Sequence, residues 1–267
     1  MDAPQFFRSG WIRFAHDPAV AAWAARAYPV AQARLEDPKL RARWLRCGGT
    51  WFAGVKVFAN DATGAVCEDG VPALAGAPVR FIADVLELAG LAWDSAQVSI
   101  CFPGYPKPSA GESDAAFRFR RDRDAAHVDG LRRYNGRRRR LGETHGFILG
   151  LPLTDSPADA APLVVWEGSH EVMRAALRAR LDGLPPERWT AEDVTDAYVA
   201  ARRQCFETCR RIPVHARPGE AYLVHRLALH GVAPWPAGIA GAGERAVAYF
   251  RPDPFPGAAP DWWLARP

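Results

Sequence analysis

RPGEAYLVHRLALHGVAPW, residues 217–235, combines turn residues, a strand pattern and two histidines. Arg217-Pro218-Gly219 predicts a turn, and the EAYLVH that follows it predicts a β-strand. His225 and His230 are five residues apart, so on a regular strand their side chains would point to opposite faces. His230 lies directly before Gly231 and a turn. A histidine at such a strand end can meet residues from a neighbouring strand, which makes it a candidate metal ligand.

The sequence around this stretch also predicts strands. GFILGLPL (146–153) and PLVVW (162–166) are apolar runs of strand length, and RAVAYFR (245–251) alternates between its two faces. A helical pattern at about 170–210 interrupts the strands. The second half of the chain is therefore expected to be mainly β.

The first part of the chain predicts helices and fewer strands. Asp17-Pro18 and Asp37-Pro38 each place an N-cap residue before a proline, which is typical of a helix start. Residues 79–91 predict a helix, and residues 51–58 and 97–102 predict strands. We expect an α+β fold with a mainly β core, an antiparallel sandwich or barrel with N-terminal and inserted helices.

Composition excludes several classes of protein. The chain has 267 residues, 49% of them hydrophobic, and a net charge of +4, which does not by itself imply a nucleic-acid partner. It has no apolar run of about 18 residues and no secretory signal pattern, so we expect no membrane span. Five cysteines predict free thiols in a reducing cytoplasm. An excess of arginine and alanine is associated with bacterial genomes of high GC content.

The stretch AAHVDG (125–130) holds a second set of candidate metal ligands. On an extended segment, His127 and Asp129 point to the same face. An imidazole and a carboxylate together suit Fe(II) or a similar divalent ion. Such a pair also occurs by chance, as a surface histidine and a turn aspartate, so a metal site requires a third ligand from elsewhere in the chain.

The strand RAVAYFR places arginine on an alternating pattern. Arg245, Val247, Tyr249 and Arg251 would share one face of the strand. An arginine on the interior face of a barrel is costly unless an anion pairs with it, and its planar fork suits a carboxylate. The alternative is an outward-facing arginine in a surface salt bridge.

Five elements in this order resemble one protein family. They are His127-Val-Asp129, FILGLPLTD (147–155), PLVVWEGSH (162–170), RPGEAYLVHRLALHGVAPW (217–235) and ERAVAYFRP (244–252). Together they resemble the phytanoyl-CoA dioxygenase-like branch of the Fe(II)- and 2-oxoglutarate-dependent oxygenases. That branch shows an HxD pair, a strand leading to PGSH, a PGD…H…LHG…PN segment and a downstream arginine. This chain departs from it at Glu167, at Trp235 and in a longer loop before Arg245.

The resemblance implies a fold and an activity. The fold would be a double-stranded β-helix, a cupin-like jelly roll, in one domain over 1–267. Its parts would be a helical support region (1–96), a core (97–252) with a helical insertion at about 170–210, and a tail (253–267). The activity would be that of a dioxygenase that hydroxylates a small organic substrate and releases succinate and CO2. The alternatives are a metal-dependent cupin-type enzyme that does not use 2-oxoglutarate, and a non-catalytic binding protein on the same fold.

The resemblance also assigns residues. His127, Asp129 and His230 would hold Fe(II), and 2-oxoglutarate and O2 would take the open positions. Arg245 would bind the distal carboxylate of 2-oxoglutarate, with Arg251 as the alternative because of the longer loop. Thr144 would line the 2-oxoglutarate pocket. The carboxylate of Asp129 favours hydroxylation, since halogenating relatives have a small residue there that leaves room for chloride.

One basic stretch of the sequence bears on the nature of the substrate. Residues 117–140 contain ten arginines. They form either a solvated, partly mobile loop or a basic rim that attracts an anionic substrate; nucleic acid is the less favoured third interpretation. We take Tyr105, Arg132 and Tyr134 as candidate substrate contacts. No sequence feature indicates an oligomeric state.

Overall fold

A computed structural model describes residues 3–239 and 243–265 of the chain. The strands are Trp11–Phe14 (β1), Leu45–Arg46 (β2), Trp51–Gly54 (β3), Gln97–Cys101 (β4), Leu131–Tyr134 (β5), Arg138–Leu141 (β6), Phe147–Pro152 (β7), Leu163–Trp166 (β8), Arg211–Val214 (β9), Ala221–His225 (β10), His230–Val232 (β11) and Arg245–Phe250 (β12). The helices are Ala3–Ser9 (α1), Pro18–Glu36 (α2), Pro38–Trp44 (α3), Ala77–Asp84 (α4), Asp114–Asp122 (α5), Ser169–Leu181 (α6) and Thr195–Thr208 (α7). Short 3₁₀ helices occupy Cys67–Asp69, Pro186–Ala191 and Pro260–Leu264.

Two antiparallel sheets form the core. The large sheet has the strand order β1-β10-β7-β12-β4-β3-β2, and the small sheet has the order β11-β8-β9. Strands β5 and β6 form a separate two-stranded ribbon. Every strand pair is antiparallel. The architecture is therefore α+β with a mainly β core, as the sequence predicted.

Alternating side chains divide the core into layers. On β7, Phe147 and Leu149 pack with the N-terminal helices, where Trp23 is fully buried. Ile148, between them in sequence, points to the opposite face and packs with Leu163 of the small sheet. The outer face of the small sheet is covered in turn by α6 and α7. Two layers of helices thus enclose the two sheets, and the space between the sheets is where side chains of β12 and β10 meet those of β8.

Most element positions agree with the sequence analysis, and the boundaries differ at a few places. Asp17 and Asp37 cap α2 and α3 through hydrogen bonds to backbone N–H groups, as predicted. The strand predicted at 51–58 ends at Gly54, and the helix predicted at 79–91 ends at Asp84. Helices α6 and α7 lie within the helical insertion predicted at about 170–210.

The basic stretch 117–140 has regular secondary structure over part of its length. It contains part of α5 and the β5–β6 ribbon. Several of its arginines lie on aromatic rings, such as Arg123 over Phe206 and Arg139 over Tyr198. These contacts combine cation–π attraction with burial of the aliphatic stem, which explains why the segment packs on the protein. Within the described residues, no helix has the length and apolar character needed to cross a membrane.

Candidate metal centre

His127, Asp129 and His230 meet at one point between the sheets. Each offers one ligand atom, and these atoms lie within 4.8 Å of one another. Nε2 of His127 is 3.1 Å from Oδ1 of Asp129, and Nε2 of His230 is 3.7 Å from Oδ2 of Asp129. Two imidazole nitrogens and one carboxylate on one face are a donor set that suits a divalent transition metal and leaves other coordination positions open.

Backbone hydrogen bonds hold the two histidines side by side. The N–H of His127 donates to the carbonyl of His230 at 2.8 Å, and the N–H of His230 donates to the carbonyl of His127 at 3.0 Å. Each Nδ1 lies 3.0 Å from the carbonyl oxygen two residues earlier, that of Ala125 or Ala228. In a neutral imidazole this contact places the proton on Nδ1, so Nε2 keeps a lone pair for a metal.

The electrostatics of the site favour the metal-binding protonation states. Burial lowers the pKa of His230 to about 4, although Asp129 opposes this shift, so the imidazole is neutral at pH 7. Burial would raise the pKa of Asp129, but Arg251 and the two imidazoles hold it well below its usual range. Nε of Arg251 donates to Oδ2 of Asp129 at 2.6 Å. The site therefore presents the carboxylate of Asp129 and the neutral imidazole of His230 to a cation.

Gly231 allows the chain before His127 to lie against β11. A Cβ at Gly231 would lie 2.1 Å from the carbonyl oxygen of Asp124, which no real contact permits. Asp124 is fixed from its other side by Arg211, whose Nε and Nη2 donate to its two carboxylate oxygens at 2.7 and 2.8 Å. The close approach of the two segments brings the two histidine ligands together.

We expect Gly231→Ala to weaken metal binding and to destabilise the fold. The added methyl group must push the Asp124 segment away from β11, and overpacking of this kind costs about 1–3 kcal/mol. Thermal unfolding and metal titration of the variant measure both effects. Gly243→Ala is the matched control, because a Cβ there meets nothing within 4 Å. A Gly231→Ala protein with the stability and metal affinity of the wild type would contradict the role of this close approach.

A cavity of about 710 Å³ opens beside the three candidate ligands. The side chain of His127 is 45% exposed, whereas that of His230 is 6% exposed, so the site is accessible on the His127 side. Apolar and aromatic side chains in the wall include those of Trp51, Val55, Ile148, Leu163, Val224 and Val232. Polar and charged ones include those of Lys56, Asp94, Gln97, Arg120, Thr144, His145, Tyr249 and Asp253. The volume leaves room for an organic molecule next to a bound metal.

The predicted substrate contacts separate into two groups. Tyr105 and Arg132 line the cavity, and Arg132 donates to Glu143 at 2.6 Å. Tyr134 is not among the lining residues in the described part of the chain. It lies on the outer part of the ribbon, where its hydroxyl bonds to Asp193 and Arg140 stacks over its ring at 5.1 Å. The structure therefore does not place Tyr134 at the cavity, because its hydroxyl and ring are engaged by Asp193 and Arg140.

Arg245 points into the space between the sheets but lies just behind the cavity wall. It borders a small internal pocket of about 10 Å³, enough for roughly one water molecule. Its Nη2 donates to the hydroxyls of Tyr222 and Tyr249 at 3.3 and 3.2 Å. Tyr249 in turn lines the large cavity. Arg245 thus reaches the cavity through a tyrosine hydroxyl.

The charge of Arg245 has no counter-ion among the described residues. Its Nη1 is buried without a hydrogen-bond partner there. Burial raises the pKa of Tyr222 well above its ordinary value and that of Cys101, opposite Arg245 on β4, to about 12. Both groups are therefore neutral at pH 7. A buried cation surrounded by neutral groups is unfavourable unless an anion joins it.

The other candidate anchor, Arg251, is already engaged. Besides its bond to Asp129, its Nη1 donates to Oε1 of Gln97 at 2.7 Å and its backbone N–H donates to Asp94 at 2.8 Å. Thr144 lines the cavity and donates to Oδ2 of Asp253 at 3.2 Å. Arg251 also lines the cavity, but its Nε and Nη1 are occupied by acceptors of the protein.

Sequence reasoning missed part of the site. The bond between Arg251 and Asp129 joins residues 122 positions apart, and nothing in either local pattern indicates it. Asp94 and Lys56 also line the cavity. Lys56 lies in the predicted strand 51–58, and Asp94 lies between a predicted helix and a predicted strand, so neither was identified as a site residue. Gly231 was noted only as the residue after His230, and its close approach to Asp124 depends on how the two segments pack.

Comparisons with known proteins show the fold. No family model matches the chain, and no curated protein matches it by sequence. Among solved structures, AviO1 from Streptomyces viridochromogenes Tue57 is similar with a TM-score of 0.50 and 18% identity, over 97% of this chain and 96% of AviO1. EvdMO1 is similar with a TM-score of 0.50 and 12% identity, over 93% of this chain and 49% of EvdMO1. EctD from S. alaskensis, solved with 2-oxoglutarate and 5-hydroxyectoine, has a TM-score of 0.44 and 16% identity, over 99% of this chain and 82% of EctD.

The chain has the fold that the sequence predicted. It is α+β with a mainly antiparallel β core of the jelly-roll type, supported by the sheets described above and by the likeness to AviO1 over nearly the whole of both chains. The identities are too low for these structures to show more than the fold.

Proposed function

We propose that this protein is an Fe(II)- and 2-oxoglutarate-dependent dioxygenase of the phytanoyl-CoA dioxygenase-like type, which hydroxylates a small organic substrate. One observation carries the proposal: two imidazoles and one carboxylate come within 4.8 Å of one another at the wall of a cavity of about 710 Å³. This donor set matches the facial triad of non-haem Fe(II) oxygenases, which leaves positions for a co-substrate and O2.

His127, Asp129 and His230 would hold the metal through Nε2, the carboxylate and Nε2. When bound, iron would supply oxidising chemistry that consumes 2-oxoglutarate and O2 and releases succinate and CO2. The chain's own contribution is to fix the ligands before the metal arrives. The Nδ1–carbonyl contacts set both imidazole orientations, and Arg251 keeps Asp129 deprotonated and pointed at the same place.

Arg245 would bind the distal carboxylate of 2-oxoglutarate. Its uncompensated charge and unpaired Nη1 support this role, since a carboxylate would supply both the missing charge and the missing acceptor. The hydroxyl of Tyr249, which accepts from the hydroxyl of Tyr222 at 2.9 Å, would donate to the same carboxylate. Thr144, which lines the cavity, would contact the co-substrate. Arg251 would remain with Asp129.

The charges in the cavity bear on the substrate. The arginines of the wall already have acidic partners: Arg120 pairs with Glu112, Arg132 with Glu143 and Arg251 with Asp129. Asp253 lines the same cavity, where it accepts a hydrogen bond from Thr144. This balance favours an uncharged substrate with hydrogen-bond donors over the anionic one that the basic stretch suggested.

The proposal is tested by following the co-substrate. Protein loaded anaerobically with Fe(II) and given 2-oxoglutarate and then air should form succinate slowly, without added substrate, at a rate that depends on both iron and O2. Mass spectrometry of succinate measures it. Iron binding without any succinate would contradict the proposal. It would favour the metal-dependent cupin-type enzyme that does not use 2-oxoglutarate, or the non-catalytic protein.

A further inference from the structure

The turn that carries His230 crosses from the large sheet to the small one inside the protein. Leu227, Ala228 and Leu229 are fully buried. Their backbone N–H groups cannot reach water, so each needs a partner within the protein. The N–H of Leu227 donates to Nδ1 of His225 at 3.0 Å, and the N–H of Ala228 donates to the carbonyl of His225 at 2.8 Å. The third N–H, that of Leu229, has no regular strand partner and relies on a side chain.

That side chain is Ser169, at the first residue of α6. His230 is opposite Val165 in the pairing of β11 with β8, so Leu229 lies opposite Trp166, where two backbone hydrogen bonds are expected. One is present, from the N–H of Trp166 to the carbonyl of Leu229 at 3.0 Å. In place of the other, the Ser169 hydroxyl accepts from the N–H of Leu229 at 2.8 Å and donates to the carbonyl of Trp166 at 2.6 Å.

The hydroxyl therefore sets the spacing of the strands one residue before a candidate metal ligand. Without it, either the N–H of Leu229 is buried with no partner, or the strands close to form the direct bond. The first outcome removes a hydrogen bond that fixes the backbone of residues 228–230, and the second moves that backbone toward β8. The carbonyl of Ala228 orients the His230 ring through Nδ1 at 3.0 Å, so the displacement reaches the metal-binding nitrogen.

We propose that Ser169 is a positioning residue for His230: its hydroxyl, inserted between β11 and β8, holds the imidazole where a metal requires it. The inference rests on the proposed metal binding. Ser169 does not line the cavity and is fully buried, so it acts through His230 and does not contact substrate or co-substrate.

Metal affinity of the folded protein tests this role. We expect Ser169→Ala to raise the dissociation constant for Co(II), used as the probe, by about tenfold to a hundredfold, the range found when groups that orient metal ligands are removed. The visible absorption spectrum of bound Co(II) should change as well, because the ligand geometry changes. Titrations are done well below the unfolding temperature, with circular dichroism of each sample to verify folding.

Thr50→Val is the matched control. The Thr50 hydroxyl is also buried and bridges two backbone groups, since it donates to the carbonyl of Cys47 at 2.6 Å and accepts from the N–H of Lys107 at 3.3 Å. Its loss should lower the unfolding temperature and leave Co(II) affinity and spectrum unchanged.

The outcomes separate this inference from the proposed function. A wild-type protein that binds no Co(II) would contradict both. A wild type that binds and a folded Ser169→Ala that binds equally, with the same spectrum, would overturn only the role of Ser169. If Ser169→Ala does not fold, Ser169→Cys decides in the same way, because sulfur is a weak donor and acceptor in nearly the same space.

Discussion

Asp129→Ala is expected to abolish succinate formation and to lower the affinity for Fe(II) more than about a hundredfold. Removal of a group that only orients a metal ligand already lowers metal affinity about tenfold to a hundredfold. Asp129 is itself the proposed carboxylate ligand, so its removal should have a larger effect. The variant also leaves the Arg251 guanidinium beside the metal site without its carboxylate partner, which repels a cation. The succinate assay measures the first effect, and iron content after anaerobic loading and desalting measures the second.

The experiment needs two precautions. Chloride-free buffer is required, because an anion could otherwise occupy the position that the carboxylate vacates. Asp155→Ala is the matched control, since Asp155 is a surface carboxylate, 69% exposed, in an ion pair with Arg217. It should bind iron and form succinate like the wild type. Stoichiometric iron and wild-type succinate formation in Asp129→Ala would remove Asp129 from the ligand set.

Arg245→Met is expected to raise the dissociation constant for 2-oxoglutarate at least about thirtyfold. Loss of one partner of a buried, hydrogen-bonded charge pair costs about 2–5 kcal/mol, and each 1.4 kcal/mol is about tenfold in affinity. Titration of the iron-loaded protein with 2-oxoglutarate measures the change. Iron affinity without 2-oxoglutarate should not change, because Arg245 does not contact the candidate ligands.

The ligand-free stability of the same variant separates two roles of Arg245. If Arg245 stabilises the fold, its removal should lower the free energy of unfolding. If Arg245 is a buried cation without a counter-ion until an anion binds, its replacement by methionine should leave the free energy of unfolding equal or higher. Arg133→Met, which removes an exposed arginine of the ribbon, is the charge-matched control. Unchanged 2-oxoglutarate affinity in Arg245→Met, with a loss in Arg251→Met, would move the anchor to Arg251.

Local sequence patterns carried much of the fold and the metal centre. The alternation in RAVAYFR correctly placed Arg245 and Tyr249 on one face of the strand, because a strand alternates wherever it lies, and the structure shows that this face is the interior one. The spacing of His127 and Asp129 allowed a shared site, and the structure places His230 beside them. The strand alternation and the His127–Asp129 pair could be predicted because each depends on residues that are close in sequence.

What could not be predicted depends on packing between distant segments. Ser169 bonds to Leu229 across 60 residues, and Arg251 bonds to Asp129 across 122. Tyr134 had the right chemistry for a substrate contact, but Asp193 and Arg140 hold it away from the cavity. The arginines of 117–140 suggested a basic rim from their number alone, whereas the structure pairs several of them with acidic side chains, such as Arg132 with Glu143 and Arg138 with Asp193.

The most direct measurement is an anaerobic titration of the purified protein with Fe(II) and 2-oxoglutarate, followed by visible absorption. Chelation of the metal by the keto acid at the triad of His127, Asp129 and His230 should produce a metal-to-ligand charge-transfer band that saturates at one equivalent of each. The band should be absent in Asp129→Ala and should require more 2-oxoglutarate in Arg245→Met. Folded wild-type protein that binds iron and develops no band at saturating 2-oxoglutarate would contradict the proposed activity.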